Sequence, residues 1–403
     1  MVRFVASILL LAAGVNSFGG PEPSAVVARL EAGRPVTIVC FGDSLTGVYY
    51  HTGGHRAWPD LLGAGLRELY PTAALTVINA GVSGNTTGQA LARMQTDVIA
   101  HHPDLAIVMF SLNDMVRGKG PDEFRSNLKL IIGRARAAHI EVVLMTPNTI
   151  LPGDPDRLPQ RVGDYVQIMR EVANAEGVAL ADAYRGFEAV RAADERSWQE
   201  LMSQAIHPNL FGDVLFAESA ISTLTARPFH FDGLPPLANN LGDFRARAKT
   251  KRVLRIVAMK PLDETLSAVL NSLYPDVEIR LIPWESSHLS LPDLAEHARA
   301  LDRFKGNAPD LVVLAIPSTA RAGDAAAYFR EYSAVLNAVM DFGPGGWECL
   351  AVSPEVVSPG LDAGDRTNAA IARRVCLSKD ILWVERAQRD VRPAADLLAE
   401  VLR

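Results

Sequence analysis

A short apolar run that stops at small and polar residues strongly limits what this chain can fold into. Residues 36–41 are β-branched or bulky and apolar apart from one threonine, with a proline before them and Gly42 after them. An apolar run of this length between turn residues predicts a buried strand of a parallel sheet. Ligands bind beyond the carboxyl ends of such strands, so Ser44 would face a crevice. The alternative is that Asp43 or Ser44 only caps the next helix.

The same pattern of apolar run, small residues and helix recurs along the first half of the chain. In residues 58–70, for example, apolar side chains recur every three or four positions, as in an amphipathic helix. The four prolines of residues 147–161 predict a loop. Strands that alternate with helices at this pitch predict a doubly wound parallel α/β sheet. The predicted strands cover residues 36–41, 75–80, 104–110, 142–146 and 179–181.

The second half repeats the order and spacing of the first. Residues 309–316 (PDLVVLAI), for example, echo residues 103–110 (PDLAIVMF). The small and polar residues that end the first strand have no counterpart, because Lys260–Leu262 stands in their place. We interpret residues 251–403 as a smaller α/β domain that arose by duplication and lost its chemistry. A convergent α/β domain is the alternative.

The first residues have the pattern of a secretory signal. Met1–Arg3 supply a positive charge, residues 4–15 are mostly apolar, and small residues follow where a peptidase could cut. About twelve apolar residues are too few to span a bilayer. We therefore predict a secreted or periplasmic protein, with a buried first helix of a cytoplasmic protein as the alternative. The predicted domains are a signal peptide at 1–19, a first α/β domain at 20–228, a linker at 229–250 and the copy at 251–403.

Charge and composition exclude several classes of partner. The net charge is −6 with no run of lysine or arginine, which argues against nucleic acid and against an anionic membrane surface. Small or neutral molecules fit better. The sequence leaves the oligomeric state open.

Cysteines and histidines indicate no metal or cofactor. Cys40, Cys349 and Cys376 are widely separated, which favours three buried thiols, with a Cys349–Cys376 bridge as the alternative. His51 and His55 stand four apart without a third ligand, which makes a poor zinc site. We predict no cofactor and no metal.

Four polar motifs lie at consecutive strand ends or in the last loop. They are GDSL at 42–45, GVSG at 81–84, LND at 112–114 and HPN at 207–209. Their order resembles that of the SGNH hydrolases, also called GDSL esterases and lipases, a flavodoxin-like family of serine esterases. The resemblance runs from about residue 36 to residue 224. It implies that the first domain is a flavodoxin-like serine esterase and that the second is a degenerate SGNH-like domain.

The resemblance also implies a role for each motif. Ser44 would be the nucleophile and His207 its general base, while the backbone N–H groups of Ser44 and Gly84 and the amide of Asn113 would form the oxyanion hole. The chemistry agrees, because a serine hydroxyl needs a base and the developing negative charge needs fixed donors. Taken singly, Gly84 could serve only a left-handed turn and Asn113 could cap a helix.

Gln204 departs from the family pattern. Family members usually carry aspartate three residues before the histidine, and this chain has Gln204 there. A glutamine carbonyl could accept the ring N–H, but it supplies no negative charge to an imidazolium. Three readings remain open: a Ser44–His207 dyad oriented by Gln204, a carboxylate borrowed from Glu200 or Asp194, or an impaired site.

The resemblance suggests a substrate class. We expect hydrolysis of short acyl esters, such as acetyl esters of carbohydrates, through an acyl-serine intermediate. An acyltransferase on the same fold is one alternative. A non-catalytic protein that binds glycan or another protein is the other.

Overall fold

The chain folds as two compact units. The computed structural model describes residues 23–118, 120–237, 240–300, 308–341, 346–358, 360–387 and 390–403. Residues 23–49 and 56–235 form the first domain, and residues 50–55 and 236–403 form the second. The predicted signal peptide lies outside the described residues. No helix in the described ranges is long and apolar enough to cross a membrane.

The first domain is a parallel sheet between layers of helices. Within its described residues the strand order is β2-β1-β3-β4-β5, and every pairing is parallel. Its elements are α1 (Ala25–Glu31), β1 (Val36–Gly42), α2 (Trp58–Leu69), β2 (Leu75–Gly81), α3 (Thr87–Asp97), β3 (Leu105–Met109), α4 (Asp114–Arg117), α5 (Pro121–Ala137), β4 (Glu141–Met145), α6 (Pro159–Glu176), β5 (Ala179–Ala181), α7 (Ala183–Ala193), α8 (Glu195–Gln199) and α9 (Leu210–Thr225). The doubly wound α/β fold predicted from the sequence is confirmed.

Burial explains why these runs became strands. All five residues of β3 are buried, as are six of the seven in β1, because helices cover both faces of the sheet. The edge strand β2 is only partly buried. On α2, the side chains of Trp58, Leu62 and Leu66 are buried at helical spacing. The predicted amphipathic helix therefore turns its apolar stripe to the core.

The strand order fixes where a ligand can bind. The chain runs from β1 to its neighbour β2 and then crosses over to β3, which lies on the other side of β1. This change of direction opens a crevice at the carboxyl ends of β1 and β3. Gly42 pairs with Gly81 on one side and with Met109 on the other, so the three strands end at the same level. The segments that follow carry Ser44, Gly84 and Asn113.

The second domain has a sheet of the same topology. Its described strand order, β10-β9-β8-β6-β7, is the order of the first sheet when read from β7. Its elements are α10 (Gly242–Thr250), β6 (Val253–Met259), α11 (Leu262–Leu273), β7 (Glu278–Trp284), α12 (Leu291–Ala300), β8 (Leu311–Leu314), α13 (Ala325–Val339), β9 (Glu348–Val352), α14 (Pro354–Val357), α15 (Ala363–Leu377), β10 (Leu382–Val384) and α16 (Ala394–Leu402). Duplication would produce this shared order, and duplication itself stays a prediction.

Two segments differ from what the sequence suggested. The predicted linker at 229–250 contains helix α10, whose Phe244 and Ala248 are buried in the second core. Two apolar residues four apart are too weak a pattern to predict a helix. The predicted loop at 147–161 ends three residues early, since Pro159 starts α6, where its missing N–H costs nothing. The three cysteines are free and buried.

A buried carboxyl group on α9 makes stability depend on pH. Asp213 accepts a hydrogen bond from the backbone N–H of Trp58 at 2.8 Å, and burial raises its pKa well above the usual value. A carboxyl whose pKa is raised by folding stabilises the folded state fully below its unfolded pKa, near 4, and this contribution disappears as the pH rises through the folded pKa.

We expect Asp213→Asn to flatten this dependence. The asparagine oxygen can still accept from Trp58 but cannot ionise, so the parent should lose more unfolding free energy than the variant between pH 4 and pH 9. The difference should be about 1.4 kcal/mol for each unit by which folding raises the pKa. Urea unfolding of both proteins across this range measures it. Parallel pH profiles would contradict the prediction.

Candidate active site

Ser44 lies in a tight turn at the end of β1. The carbonyl of Asp43 accepts hydrogen bonds from the N–H groups of Thr46 at 3.1 Å and Gly47 at 3.0 Å. A Cβ atom on Gly42 would lie 2.0 Å from the Thr46 hydroxyl oxygen, so only glycine lets the chain turn this sharply. The turn thus places the Ser44 side chain just beyond the sheet.

His207 lies in a closed loop before α9. The loop is fastened at its base, where the N–H of Asn209 donates to Leu201 O at 2.9 Å, and near its tip, where the N–H of Ser203 donates to His207 O at 2.9 Å. Asn209 then caps α9 by accepting from Phe211 N–H at 2.9 Å. These bonds explain why the polar HPN motif precedes the helix.

The structure brings Ser44, His207 and Gln204 together. Ser44 Oγ lies 2.8 Å from His207 Nε2. On the other side of the ring, Gln204 Nε2 lies 2.5 Å from His207 Nδ1. The three side chains form a row in the order expected from the sequence, with an amide where a carboxylate would normally stand.

The two carboxylates considered as substitutes are engaged elsewhere. Asp194 caps α8 by accepting from Ser197 N–H at 3.0 Å. Glu200 forms an ion pair with Arg196 at 3.2 Å. The group that the structure places 2.5 Å from His207 Nδ1 is the Gln204 amide. The choice among the three readings stays a prediction.

Two backbone N–H groups are available near Ser44. Gly84 has φ of +76°, a left-handed conformation that favours glycine, in the turn after β2. In the described part of the chain, neither Ser44 N–H nor Gly84 N–H has a hydrogen-bond acceptor. Unused donors at these two positions are what the predicted oxyanion hole requires.

The Asn113 amide is held in one orientation. Its Nδ2 donates to Asp43 Oδ2 at 3.0 Å and to Asn85 O at 3.2 Å, while its Oδ1 accepts from Arg157 Nη2 at 3.2 Å. With Oδ1 on the guanidinium, the NH₂ group has to face the strand ends. Both amide hydrogens have acceptors in the absence of substrate, so an oxyanion would compete with Asp43 or with Asn85.

Two buried carboxyl groups lie beneath the site. Burial raises the pKa of Asp43 to about 7, although hydrogen bonds from Leu45 N–H and from Asn113 partly oppose the shift. Burial also raises the pKa of Asp114 to about 6, against hydrogen bonds from Thr87. The negative charge next to Asn113 is therefore incomplete at neutral pH.

Arg93 on α3 ties the strand ends together, and sequence reasoning missed it. Its guanidinium donates to Gly42 O at 2.8 Å, to Ala80 O at 2.9 Å and, through Nε, to Asn85 Oδ1 at 2.8 Å. It also lies 4.4 Å from the centre of the Phe41 ring. An arginine in an amphipathic helix is normally predicted to lie on the surface, so no local sequence pattern predicts this role.

Sequence reasoning also missed Arg157, because it lies in the predicted loop outside any motif. Besides Asn113, it donates to Leu112 O at 3.1 Å and pairs with Asp154 at 3.3 Å.

We expect Arg157→Ala to lower kcat about five- to tenfold, the value of one hydrogen bond, because the Asn113 amide loses its fixed orientation. Steady-state kinetics with Arg161→Ala as the control tests this, because Arg161 donates instead to Met115 O. Equal effects of the two substitutions would contradict it.

The first domain is similar in sequence to known ester hydrolases. The model of the GDSL-like lipase/acylhydrolase family matches residues 40–213. An acetylxylan esterase from Geobacillus stearothermophilus is 25% identical over 38% of this chain and 74% of that protein. An arylesterase from Vibrio mimicus is 36% identical over 27% of this chain and 52% of that protein. Thioesterase 1/protease 1/lysophospholipase L1 from Escherichia coli is 32% identical, over 30% and 55% respectively.

Two solved structures align with about half of this chain. The crystal structure of an acetylxylan esterase from Geobacillus stearothermophilus aligns with 48% of this chain and 96% of its own, at 21% identity and a TM-score of 0.42. An α/β hydrolase from the metagenome of Lake Arreo aligns with 51% and 98%, at 27% identity and a TM-score of 0.41.

Proposed function

The first domain belongs to the GDSL-like lipase/acylhydrolase family and is a serine carboxylic ester hydrolase, and we propose that it cleaves short-chain acyl esters. The observation that carries the proposal is the 2.8 Å contact between Ser44 Oγ and His207 Nε2 beside two N–H donors without acceptors in the described residues. Nucleophile, base and donors are the parts that acyl transfer from an ester needs.

In the proposed reaction, Ser44 Oγ attacks the ester carbonyl while His207 Nε2 takes its proton. The carbonyl π electrons move to the oxygen, and this oxyanion is bound by the N–H groups of Ser44 and Gly84 and by the Asn113 amide. His207 then gives the proton to the leaving alcohol, which leaves an acyl-serine. A water molecule repeats the sequence and releases the acid.

We propose that the acyl group is acetyl and that the alcohol is a carbohydrate. The match to an acetylxylan esterase over most of that protein supports this choice, while the arylesterase and the thioesterase are matched over about half of theirs. The apolar N-terminal segment, outside the described residues, supports export to the periplasm or the medium, where acetylated polysaccharides would be met.

Two assays test the substrate. Hydrolysis rates of p-nitrophenyl acetate, butyrate and octanoate by the purified chain should fall as the acyl chain lengthens, and acetate should be released from acetylated xylo-oligosaccharides. Fastest cleavage of the octanoate would overturn the short-acyl proposal. Acyl transfer to an added sugar that outpaces hydrolysis would favour the acyltransferase alternative.

A further inference from the structure

The orientation of the Gln204 amide decides which nitrogen of His207 carries the proton. Gln204 Oε1 accepts a hydrogen bond from the N–H of Ile206 at 3.1 Å. This leaves the NH₂ group pointing at His207 Nδ1, 2.5 Å away. Rotating the amide by half a turn would bring its NH₂ group against the Ile206 N–H, two donors facing each other, and the bond to Ile206 would be lost.

An amide NH₂ group donates and cannot accept. Nδ1 must therefore present its lone pair to Gln204, which places the proton of the neutral ring on Nε2. The contact of 2.8 Å between Nε2 and Ser44 Oγ is then a bond from the ring N–H to the serine oxygen. A ring in this tautomer has no lone pair on Nε2 with which to take the serine proton.

We propose that Gln204 is a positioning residue that holds His207 in the Nε2–H tautomer and so keeps Ser44 from being activated. This inference rests on the proposed esterase function. Attack by Ser44 requires a lone pair on Nε2 and then an imidazolium with N–H on both ring nitrogens. Gln204 opposes both states, because its NH₂ group would face an Nδ1–H. Turnover needs the amide to rotate and to give up the Ile206 bond, so that Oε1 can accept from the ring.

Gln204→Glu is the variant that isolates this effect. Glutamate has the same shape as glutamine, but both of its side-chain oxygens accept, so one can keep the Ile206 N–H bond while the other accepts Nδ1–H. The matched control is Gln204→Met, which keeps the length of the side chain and neither donates nor accepts a strong hydrogen bond. The glutamate would act as the aspartate of a serine hydrolase triad does, which holds the proton on Nδ1 and stabilises the imidazolium.

Nitrogen-15 NMR of histidine-labelled protein reads the tautomer directly. The chain has nine histidines, and a His207→Ala variant identifies the resonances of His207. At a pH where the ring is neutral, the parent should show an unprotonated Nδ1 and a protonated Nε2. The Gln204→Glu variant should show the reverse. A parent ring protonated on Nδ1 would overturn the proposal.

Kinetics with p-nitrophenyl acetate provide the second readout. We expect Gln204→Glu to raise kcat at least about tenfold over the parent with little change in KM, and Gln204→Met to raise it less. A parent as fast as Gln204→Glu would overturn the role of Gln204 while leaving the esterase function intact. If NMR shows the switch of tautomer but neither protein hydrolyses esters in a Ser44-dependent way, the assignment of the proton is supported and the esterase function fails.

Discussion

Replacing Ser44 by alanine should lower kcat/KM for p-nitrophenyl acetate at least about a hundredfold. The hydroxyl oxygen that lies 2.8 Å from His207 Nε2 is then missing, and no acyl-serine can form. Residual turnover would come from binding and from the oxyanion donors alone. The loss should be larger in the Gln204→Glu background, because there the histidine can act as the base from the start.

A neighbouring serine provides the control for this experiment. Ser83 is exposed in the turn next to Gly84, so Ser83→Ala removes a hydroxyl from the same surface. We expect it to retain the parent rate within about twofold, as surface substitutions usually do. Covalent labelling by a fluorophosphonate should disappear only in Ser44→Ala. Labelling of Ser44→Ala, or hydrolysis by it at close to the parent rate, would show that another residue is the nucleophile.

The parts of the fold that follow from backbone periodicity could be predicted from the sequence. A strand buried on both faces has to be continuously apolar, which is why residues 36–41 and 104–110 identified β1 and β3. The turns after these strands need small residues for steric reasons, as Gly42 shows. Motif residues at such turns therefore came to the same edge of the sheet, and Ser44 and His207 lie in contact although they are far apart in sequence.

The orientation of side chains could not be predicted in the same way. Sequence reasoning allowed the Gln204 carbonyl to accept the ring N–H, whereas the Ile206 N–H takes that carbonyl and turns the NH₂ group to His207. Arg93 and Arg157 act through hydrogen bonds to backbone oxygens that are far away in the sequence. No spacing of residues along the chain predicts such bonds. These contacts depend on tertiary packing, which periodicity does not record.

The Asn113 amide is the second residue whose removal should have a large effect. We expect Asn113→Ala to lower kcat about a hundred- to a thousandfold, the usual result of deleting one oxyanion donor. KM should change little, because the amide stabilises charge that develops only in the transition state. In the absence of substrate its NH₂ group is shared between Asp43 Oδ2 and Asn85 O. An oxyanion would have to compete with one of these acceptors, while Arg157 holds the Oδ1 atom of the amide.

A second buried asparagine separates catalysis from folding. Asn127 on α5 donates to the Thr87 hydroxyl at 3.1 Å and does not contact Ser44, so Asn127→Ala should destabilise the domain by about 1–3 kcal/mol and leave kcat near the parent value. Asn113→Ala should instead lose kcat in protein that remains folded, as thermal unfolding would show. If Asn113→Ala lost less than fivefold in kcat, or if the loss fell wholly on KM, the two backbone N–H groups would suffice for the oxyanion and Asn113 would serve to order the strand ends.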